Sequence, residues 1–114
     1  MFKTVGLLKR KPSLAREAFI RHYETVHVPL MRALLPQITE YRRNYLNRDI
    51  AVVTPGAADP DFDVITEIYF ADREAYDAAM AASAKPEVWA QIAADAQQIF
   101  DMSQTRLFAV DERG

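Results

Sequence analysis

Apolar and polar positions change period along the chain, and these changes predict where strands and helices lie. Residues 2–9 are apolar on both faces, which predicts a short strand buried on two sides. Ser13 is a candidate N-cap for a helix whose apolar residues recur every three or four positions. These apolar residues are Ala15, Phe19, Tyr23, Val26, Leu30 and Leu34. Because Pro29 lacks a backbone donor and disfavours helical geometry at the preceding residue, we expect this helix to bend or break after His27.

Two more strands are predicted in the middle of the chain. Residues 38–47 predict a strand with many polar side chains, and residues 54–61 predict a long loop. Strict alternation over residues 63–70 predicts the next strand. Its helix-facing residues are Val64, Thr66, Ile68 and Phe70, and its other face carries Asp63, Ile65, Glu67 and Tyr69.

Two helices and a last strand complete the pattern. Asp72 is a candidate N-cap for a helix that runs through Met80, and Pro86 suits the first turn of the helix that follows. The inward residues of the second of these helices are predicted to be Trp89, Ile92, Ala93, Ala96, Ile99 and Phe100. Residues 103–110 predict the last strand.

This order of elements is typical of an α+β fold of the ferredoxin-like βαββαβ type. We expect one domain over residues 1–114, with a four-stranded antiparallel sheet and helices on one face only. The other face still carries leucine, isoleucine and tyrosine side chains. We therefore expect a homodimer in which two sheets pair face to face into a dimeric α+β barrel.

Composition narrows the function. The chain has no cysteine, which excludes disulfides, thiolate nucleophiles and cysteine-ligated metals. Its 14 basic and 16 acidic residues are interspersed, so neither nucleic acid nor a membrane surface is an expected partner. It has no signal-peptide pattern and no apolar run of about 20 residues, so we expect a cytoplasmic protein. No glycine-rich phosphate loop is present, and we expect no cofactor.

Both histidines of the chain lie on the first predicted helix. At about 100° per residue, His22 and His27 diverge by about 140°, unlike the i, i+4 pair of a helical zinc site, so we expect no metal. Tyr23 is four residues before His27, and its phenol is within reach of the imidazole, where it would fix the tautomer. The alternative is structural: His27 near a helix end, bonded to free carbonyls.

Polar side chains on the second and third strands extend the list of candidates. Glu67 lies between Ile65 and Tyr69 in the interior-facing register of its strand, where burial would raise the pKa of a carboxylate unless it meets a cation such as Arg43 or Arg106. A structural ion pair and a general base or substrate acceptor both remain open for Glu67. The residues that share one face of the second strand either line the same cavity or contribute to the subunit interface. They are Tyr41, Arg43 and Tyr45.

Several segments resemble the EthD family, and the histidine–proline block is the most specific of them. The segments are Leu8–Pro12, Phe19, His22-Tyr23, His27–Leu30, Tyr41–Tyr45, Glu67–Phe70 and Asp72–Ala75. The resemblance implies a dimeric α+β barrel, as in muconolactone isomerases and fungal decarboxylases or dehydratases of polyketides. A methylmuconolactone isomerase of similar organisation uses a histidine and a tyrosine at positions that correspond to His27 and Tyr41. The cysteine that this isomerase also uses has no counterpart here.

Together these observations predict a cofactor-independent enzyme that acts on a small aromatic, lactone or polyketide-like metabolite by isomerisation, dehydration or decarboxylation. His27, as general acid/base, and Tyr41 and Glu67 are the expected catalytic residues. The expected substrate-binding residues are His22, Tyr23, Arg43 and Tyr69. The alternatives are a non-catalytic dimeric accessory protein of an oxidoreductase system and a heme-binding protein.

Overall fold

The chain folds in the order strand, helix, strand, strand, two helices, strand. The computed structural model describes residues 1–114. The strands are β1 (Phe2–Leu8), β2 (Ile38–Tyr45), β3 (Val64–Phe70) and β4 (Arg106–Val110). The helices are α1 (Arg16–His22), α2 (Val28–Leu34), α3 (Arg73–Ser83) and α4 (Pro86–Ile99). A π-helical segment, Tyr23–His27, joins α1 to α2, and a 3₁₀ turn, Met102–Gln104, precedes β4.

The four strands form one antiparallel sheet in the order β2-β3-β1-β4. The first and third strands of the chain are therefore neighbours in its centre, as the βαββαβ pattern requires. The predicted ferredoxin-like α+β fold is confirmed.

Helices cover one face of the sheet and leave the other open. The strand register places Thr66 of β3 beside Gly6 of β1 and Arg43 of β2 on the helix side, whereas Glu67 pairs with Val5 on the open side. The helix side holds the hydrophobic core. Its fully buried side chains include Phe19, Tyr23, Val64, Thr66, Phe70 and Ile99. The predicted alternation of β3 is thus correct, and it separates two chemically different surfaces.

The first helix differs from the prediction at its start and in its middle. α1 begins after Ala15, which supplies no side-chain cap, so the prediction of Ser13 as N-cap was wrong. The helix also does not break after His27, because His27 and Val28 both keep right-handed helical angles. In a regular α-helix the Pro29 ring would clash with the carbonyl four residues earlier. The wider π turn before Pro29 relieves that crowding and keeps the chain helical.

The second half of the chain is close to the prediction. Asp72 caps α3 by accepting a hydrogen bond from the Ala75 N–H at 2.8 Å, although the helix runs to Ser83 and not only to Met80. Of the residues predicted inward on α4, Trp89 is an exception, since 54% of its surface is exposed. The last strand starts later than predicted, because Asp101 accepts from the Ser103 N–H and holds the 3₁₀ turn.

A long connection without regular secondary structure joins β2 to β3. It covers residues 46–63 and carries an exposed apolar run in which Ile50 is 80% exposed. At its base, Asp63 accepts hydrogen bonds from the Arg10 N–H at 2.7 Å and from Arg48 at 3.2 Å. Asp63 thus anchors the end of the connection, and the exposed run around Ile50 projects from the domain.

Phe19 is the central packing residue of the helix face. Only 1% of its surface is exposed, and its ring meets those of Tyr23, Tyr45 and Phe100 edge to face.

We predict that Phe19→Ala lowers the free energy of unfolding by about 3–5 kcal/mol, because it removes a large buried ring and leaves a cavity. Urea titration measures the change. Val26→Ala, at an exposed position of the same helical run, is the matched control and should change stability by about 0.5 kcal/mol or less. Equal losses in the two variants would contradict this description of the core.

Candidate functional site

Two imidazoles and one carboxylate form the most distinctive polar cluster of the molecule. His22 Nε2 lies 2.7 Å from Asp95 Oδ1, and His27 Nδ1 lies 2.8 Å from Asp95 Oδ2. Asp95 comes from the middle of α4 and is only 8% exposed. Each oxygen of this buried carboxylate therefore has its own histidine, from the facing helical run.

The π segment explains why the histidines converge. The N–H of Val28 donates to the carbonyl of Tyr23, five residues earlier, as in a π-helix. Residues five apart then lie on nearly the same side of the helix. The expected divergence of about 140° was wrong because it assumed regular α-helical geometry throughout. The three side chains bond directly to one another, and the structure contains no group of three or more such residues arranged to hold a metal ion.

Asp95 was missed in the sequence, although a signal for it exists. The apolar stripe of α4 contains Ile92, Ala96 and Ile99, and a residue three after Ile92 lies within that stripe. A carboxylate there must be paired when the helix docks on the sheet. The two histidines of the facing helix were candidate partners for it, but their convergence on one carboxylate required the π turn.

His27 is held with one nitrogen bonded and the other free. Its ring is 5% exposed and packs edge to face on Tyr23 and Phe100, at centroid distances of 5.6 and 5.5 Å. Nδ1 donates to the carboxylate, which leaves Nε2 as the unprotonated nitrogen. Burial lowers the pKa of His27 below its usual value of 6.5, although Asp95 acts in the opposite direction. His27 is therefore a neutral base near pH 7.

A chain of three hydroxyls lies beside this imidazole. Tyr23 Oη is 2.6 Å from Thr66 Oγ1 and 3.0 Å from Tyr41 Oη. The prediction that the Tyr23 phenol bonds to His27 was wrong: Tyr23 packs on the ring, and Asp95 takes the hydrogen bond. Burial raises the pKa of Tyr23 to about 12 and that of Tyr41 well above its usual value. Both phenols stay protonated, so they act as hydrogen-bond donors rather than bases.

His27, Tyr23 and Tyr41 line one apolar cavity of about 140 Å³ between the sheet and α4. Its apolar walls include Leu8, Met31, Ile68, Ile92, Ala96 and Phe100. Three further lining residues are substantially exposed, namely Trp89, Met102 and Leu107. An apolar cavity of about 150 Å³ is large enough to bind benzene, so this cavity is close in volume to one that holds a single aromatic ring.

Arg43 lies on the same face but is committed to the protein. Its Nε and Nη2 donate to Glu24 at 2.8 and 2.6 Å, and a third nitrogen donates to the Tyr41 carbonyl. Tyr45 donates to the same carboxylate at 2.6 Å. The Arg43 guanidinium holds the pKa of Glu24 below its usual value. This network ties β2 to the π segment, and the Arg43 side chain has no free nitrogen directed to the cavity.

Glu67 and Tyr69 lie on the opposite face of the sheet from His27. The expected partners of Glu67 were wrong: Lys3 Nζ lies 3.2 Å from Glu67 Oε1, whereas Arg43 pairs with Glu24 and Arg106 pairs with Asp61. Lys3 and Arg42 both lie over the Tyr69 ring. Because side chains alternate along a strand, Glu67 cannot meet a substrate bound beside Thr66 and Ile68. The structure thus brings together His22, His27, Tyr23 and Tyr41, but not Glu67 or Tyr69.

Comparison with known proteins identifies the family of the chain. A family model described as the EthD domain matches residues 11–103. The chain belongs to the EthD family. No curated protein shows significant sequence similarity to it.

Solved structures of EthD proteins have the same fold. An ethyl tert-butyl ether D family protein from Bacillus halodurans is similar, with 23% identity, a TM-score of 0.65 and coverage of 99% of this chain and 100% of that one. An EthD-like protein from Ralstonia eutropha shares 22% identity with a TM-score of 0.61, over 98% of this chain and 95% of that one. A dimeric ferredoxin-like protein of unknown function from Thermobifida fusca shares 13% identity with a TM-score of 0.55, over 96% and 90%. None of the helices in this EthD protein combines the length and apolar character that a membrane span requires.

The environment of His27 predicts a pH dependence of stability. The unfolded chain binds a proton at His27 near pH 6.5, whereas the folded chain resists it, so the free energy of unfolding falls as pH drops below that value. Asp95 and His22 face the ring, and the neutral Tyr23 and Tyr41 do not titrate in this range. Between about pH 7.5 and 5.5 the His27 contribution is at most about 1.4 kcal/mol per pH unit.

Urea titrations at both pH values measure this contribution. His27→Asn keeps a donor for Asp95 but removes the titrating ring, and it should lose less stability on acidification than the wild type. Glu24 does not interfere, because its pKa is already below its usual value of 4.5. Identical pH dependence in the two proteins would contradict the lowered pKa of His27.

Proposed function

We propose that this EthD protein is a cofactor-independent enzyme in which His27 moves a proton on a small aromatic, lactone or polyketide-like metabolite. The observation that supports this most strongly is the state of His27: its Nδ1 is bonded to Asp95, and its Nε2 has no partner in the protein. The only buried side-chain nitrogen or oxygen without a partner is Gln37 Oε1. Nε2 of His27 is therefore not sealed in the core, and it is available to a ligand in the cavity.

The two phenols supply the second half of this chemistry. If the hydroxyl chain runs from Thr66 through Tyr23 to Tyr41, the proton of Tyr41 is left to donate outside the chain. That proton would bond to a substrate oxygen on which negative charge develops when His27 removes a proton from the neighbouring carbon. A donor of this kind stabilises an enolate in a dry site more than it does in water.

Isomerisation, dehydration and decarboxylation of an activated ring share this requirement. Each passes through a state in which charge moves from carbon to an adjacent oxygen, and each requires a proton to be taken or returned nearby. A positioned imidazole contributes about 10²–10⁴-fold to such a step. The cavity of about 140 Å³ and its apolar walls favour a compact, largely uncharged ring as the substrate.

The site residues have separate roles in this proposal. His27 and Tyr41 contact the reacting atoms, while Tyr23 positions Tyr41 through the 3.0 Å hydroxyl contact. Arg43 also positions Tyr41, because it donates a hydrogen bond to the Tyr41 carbonyl. Glu67 and Tyr69 belong to a different surface, which we assign to the contact between two subunits.

The properties of the open face support a homodimer. Val5, Leu7 and Ile65 are partly buried there, and Phe108 is 55% exposed in the single chain. Beside them, Lys3 bonds to Glu112 at 2.7 Å and lies 3.2 Å from Glu67. A second copy placed against this face would cover the apolar strip and meet a surface of mixed charge. The dimeric relative from Thermobifida fusca has the same fold.

Proton transfer is measurable before the natural substrate is known. We expect the wild type to accelerate deuterium exchange, in D₂O, at the acidic C–H of some members of a panel of single-ring lactones and β-keto-substituted aromatics, followed by NMR. His27→Asn should lower the exchange rate by about 10²-fold or more, because it keeps the bond to Asp95 and removes the base. The change in melting temperature should be small.

Two comparisons make this exchange experiment decisive. Val26→Ala, on the exposed side of the π segment, should exchange at the wild-type rate. Binding of panel compounds without any exchange would contradict the enzyme and favour a non-catalytic ligand-binding accessory protein. Equal exchange by the wild type and by His27→Asn would remove His27 from the mechanism.

The dimer is tested by a charge on its proposed interface. Phe108→Glu should convert a particle of twice the chain mass into a monomer, because a carboxylate would be buried against the apolar strip of the partner. Sedimentation velocity measures the mass. Met80→Glu places the same charge at a partly exposed apolar position of α3 and should leave the dimer intact. A wild-type monomer, or a dimer that both variants retain, would refute pairing through this face.

A further inference from the structure

We propose that Asp95 is the positioning residue of this site and that His22 is the residue that holds Asp95 in place. In this arrangement the carboxylate keeps His27 in the tautomer that leaves Nε2 free, and it balances the charge of the imidazolium formed during proton transfer. The proposal rests on the proposed role of His27 as the base. It adds two residues, on two different helices, on which that role depends.

The geometry assigns each carboxylate oxygen a single task. Oδ2 accepts the proton of His27 Nδ1 at 2.8 Å, and Oδ1 lies 2.7 Å from His22 Nε2. A carboxylate bonded at only one oxygen could rotate about its side-chain bond. With both oxygens held, the plane of the carboxylate is fixed, and with it the direction of the hydrogen bond to His27.

Burial makes this pairing necessary. Asp95 is 8% exposed and lies within the apolar stripe of α4, where an unpaired carboxylate would be costly. The chain places no lysine or arginine against it, and the two imidazoles provide its hydrogen-bond donors. Each imidazole can donate a hydrogen bond to Asp95 in its neutral form.

The two histidines differ in their access to solvent. The side chain of His22 is 25% exposed, and it lines a surface groove with Arg21, Thr25 and Gln98. The side chain of His27 is 6% exposed and faces the inner cavity. His22 is therefore the solvent-facing end of the hydrogen-bonded His22–Asp95–His27 unit, and His27 is its cavity-facing end.

These groups account for the charges that face the pair. Asp95 approaches from α4, Arg21 lies beside His22 on α1, and Tyr23 and Tyr41 are neutral phenols at His27. Glu24 is on the same helical run, but Arg43 engages both of its oxygens. Asp95 therefore has the two imidazoles as its direct partners.

The first test does not depend on turnover. In the full chain labelled with ¹⁵N-histidine, NMR at neutral pH should show His27 as a single tautomer with Nδ1 protonated. Asp95→Asn keeps the shape of the side chain but offers an amide that can turn either its oxygen or its nitrogen towards His27. We expect this variant to show a mixture of His27 tautomers. The wild-type tautomer, unchanged and unmixed in Asp95→Asn, would overturn the positioning role.

The second test uses the exchange-active ring compound found with the wild type. Asp95→Asn should lower the saturated exchange rate by about 10²-fold with little change in apparent KM, because the base is misoriented rather than the ligand lost. An unchanged rate would overturn the proposal. If no compound is exchanged by the wild type but the tautomer still depends on Asp95, the proposed function fails and the positioning role stands.

His22 has its own matched pair of variants. His22→Gln retains a side-chain N–H near the position of Nε2, whereas His22→Leu removes it. We expect His22→Leu to give a mixture of His27 tautomers and a lower exchange rate, and His22→Gln to keep both close to the wild type. Equal effects of the two variants on the His27 tautomer would overturn the part assigned to His22. Melting temperatures of all variants identify any that fail to fold.

Discussion

The carboxylate of Asp95, shared between two histidines, is the interaction on which the helix face of this protein depends. A lone charge in the apolar stripe of α4 would oppose docking of that helix onto the sheet. Its hydrogen bonds to His22 and His27, at 2.7 and 2.8 Å, offset that cost. They form only when α4 is aligned against the first helical run so that both histidines reach Asp95. Removing one partner from a buried pair leaves an uncompensated group, which makes such contacts specific even where they add little stability. The cavity between α4 and the sheet takes its shape from this alignment.

The π segment is the backbone feature that makes the shared carboxylate possible. One widened turn moves His27 onto the side of His22 and also accommodates Pro29 without a break in the helix. Thr25 donates its hydroxyl to the Arg21 carbonyl at 2.6 Å, within the same turn. The π turn therefore accounts both for the convergence of the two histidines and for the position of Pro29 within a continuous helix.

Local pattern was sufficient for the architecture but not for the site. The alternation of β3 separated Thr66 from Glu67 correctly, and Asp72 is the cap that its position predicts. The contacts of Asp95 join residues 68 and 73 positions apart, and they depend on a helix type that periodicity does not reveal. Glu67 was assigned to an interior position and to the wrong cation, because the choice of Lys3 over Arg43 depends on strand order and register. The alternating faces of β3 could be predicted from the sequence, whereas the contacts between side chains on different strands and helices could not.

The two faces of the sheet divide the chemistry in a way that bears on how the site works. On the open face, charges such as Lys3 and Glu67 neutralise one another near the surface that we assign to a second copy. On the helix face, the arginine nearest the cavity is bound to Glu24, and the tyrosines remain protonated. The cavity lining thus combines the imidazole of His27 with hydroxyl side chains and apolar walls, and it contains no charged residue. In the proposed mechanism, a ring bound there meets His27 as proton acceptor and Tyr41 as donor without competing charges, and a modest base such as imidazole is most effective under that condition.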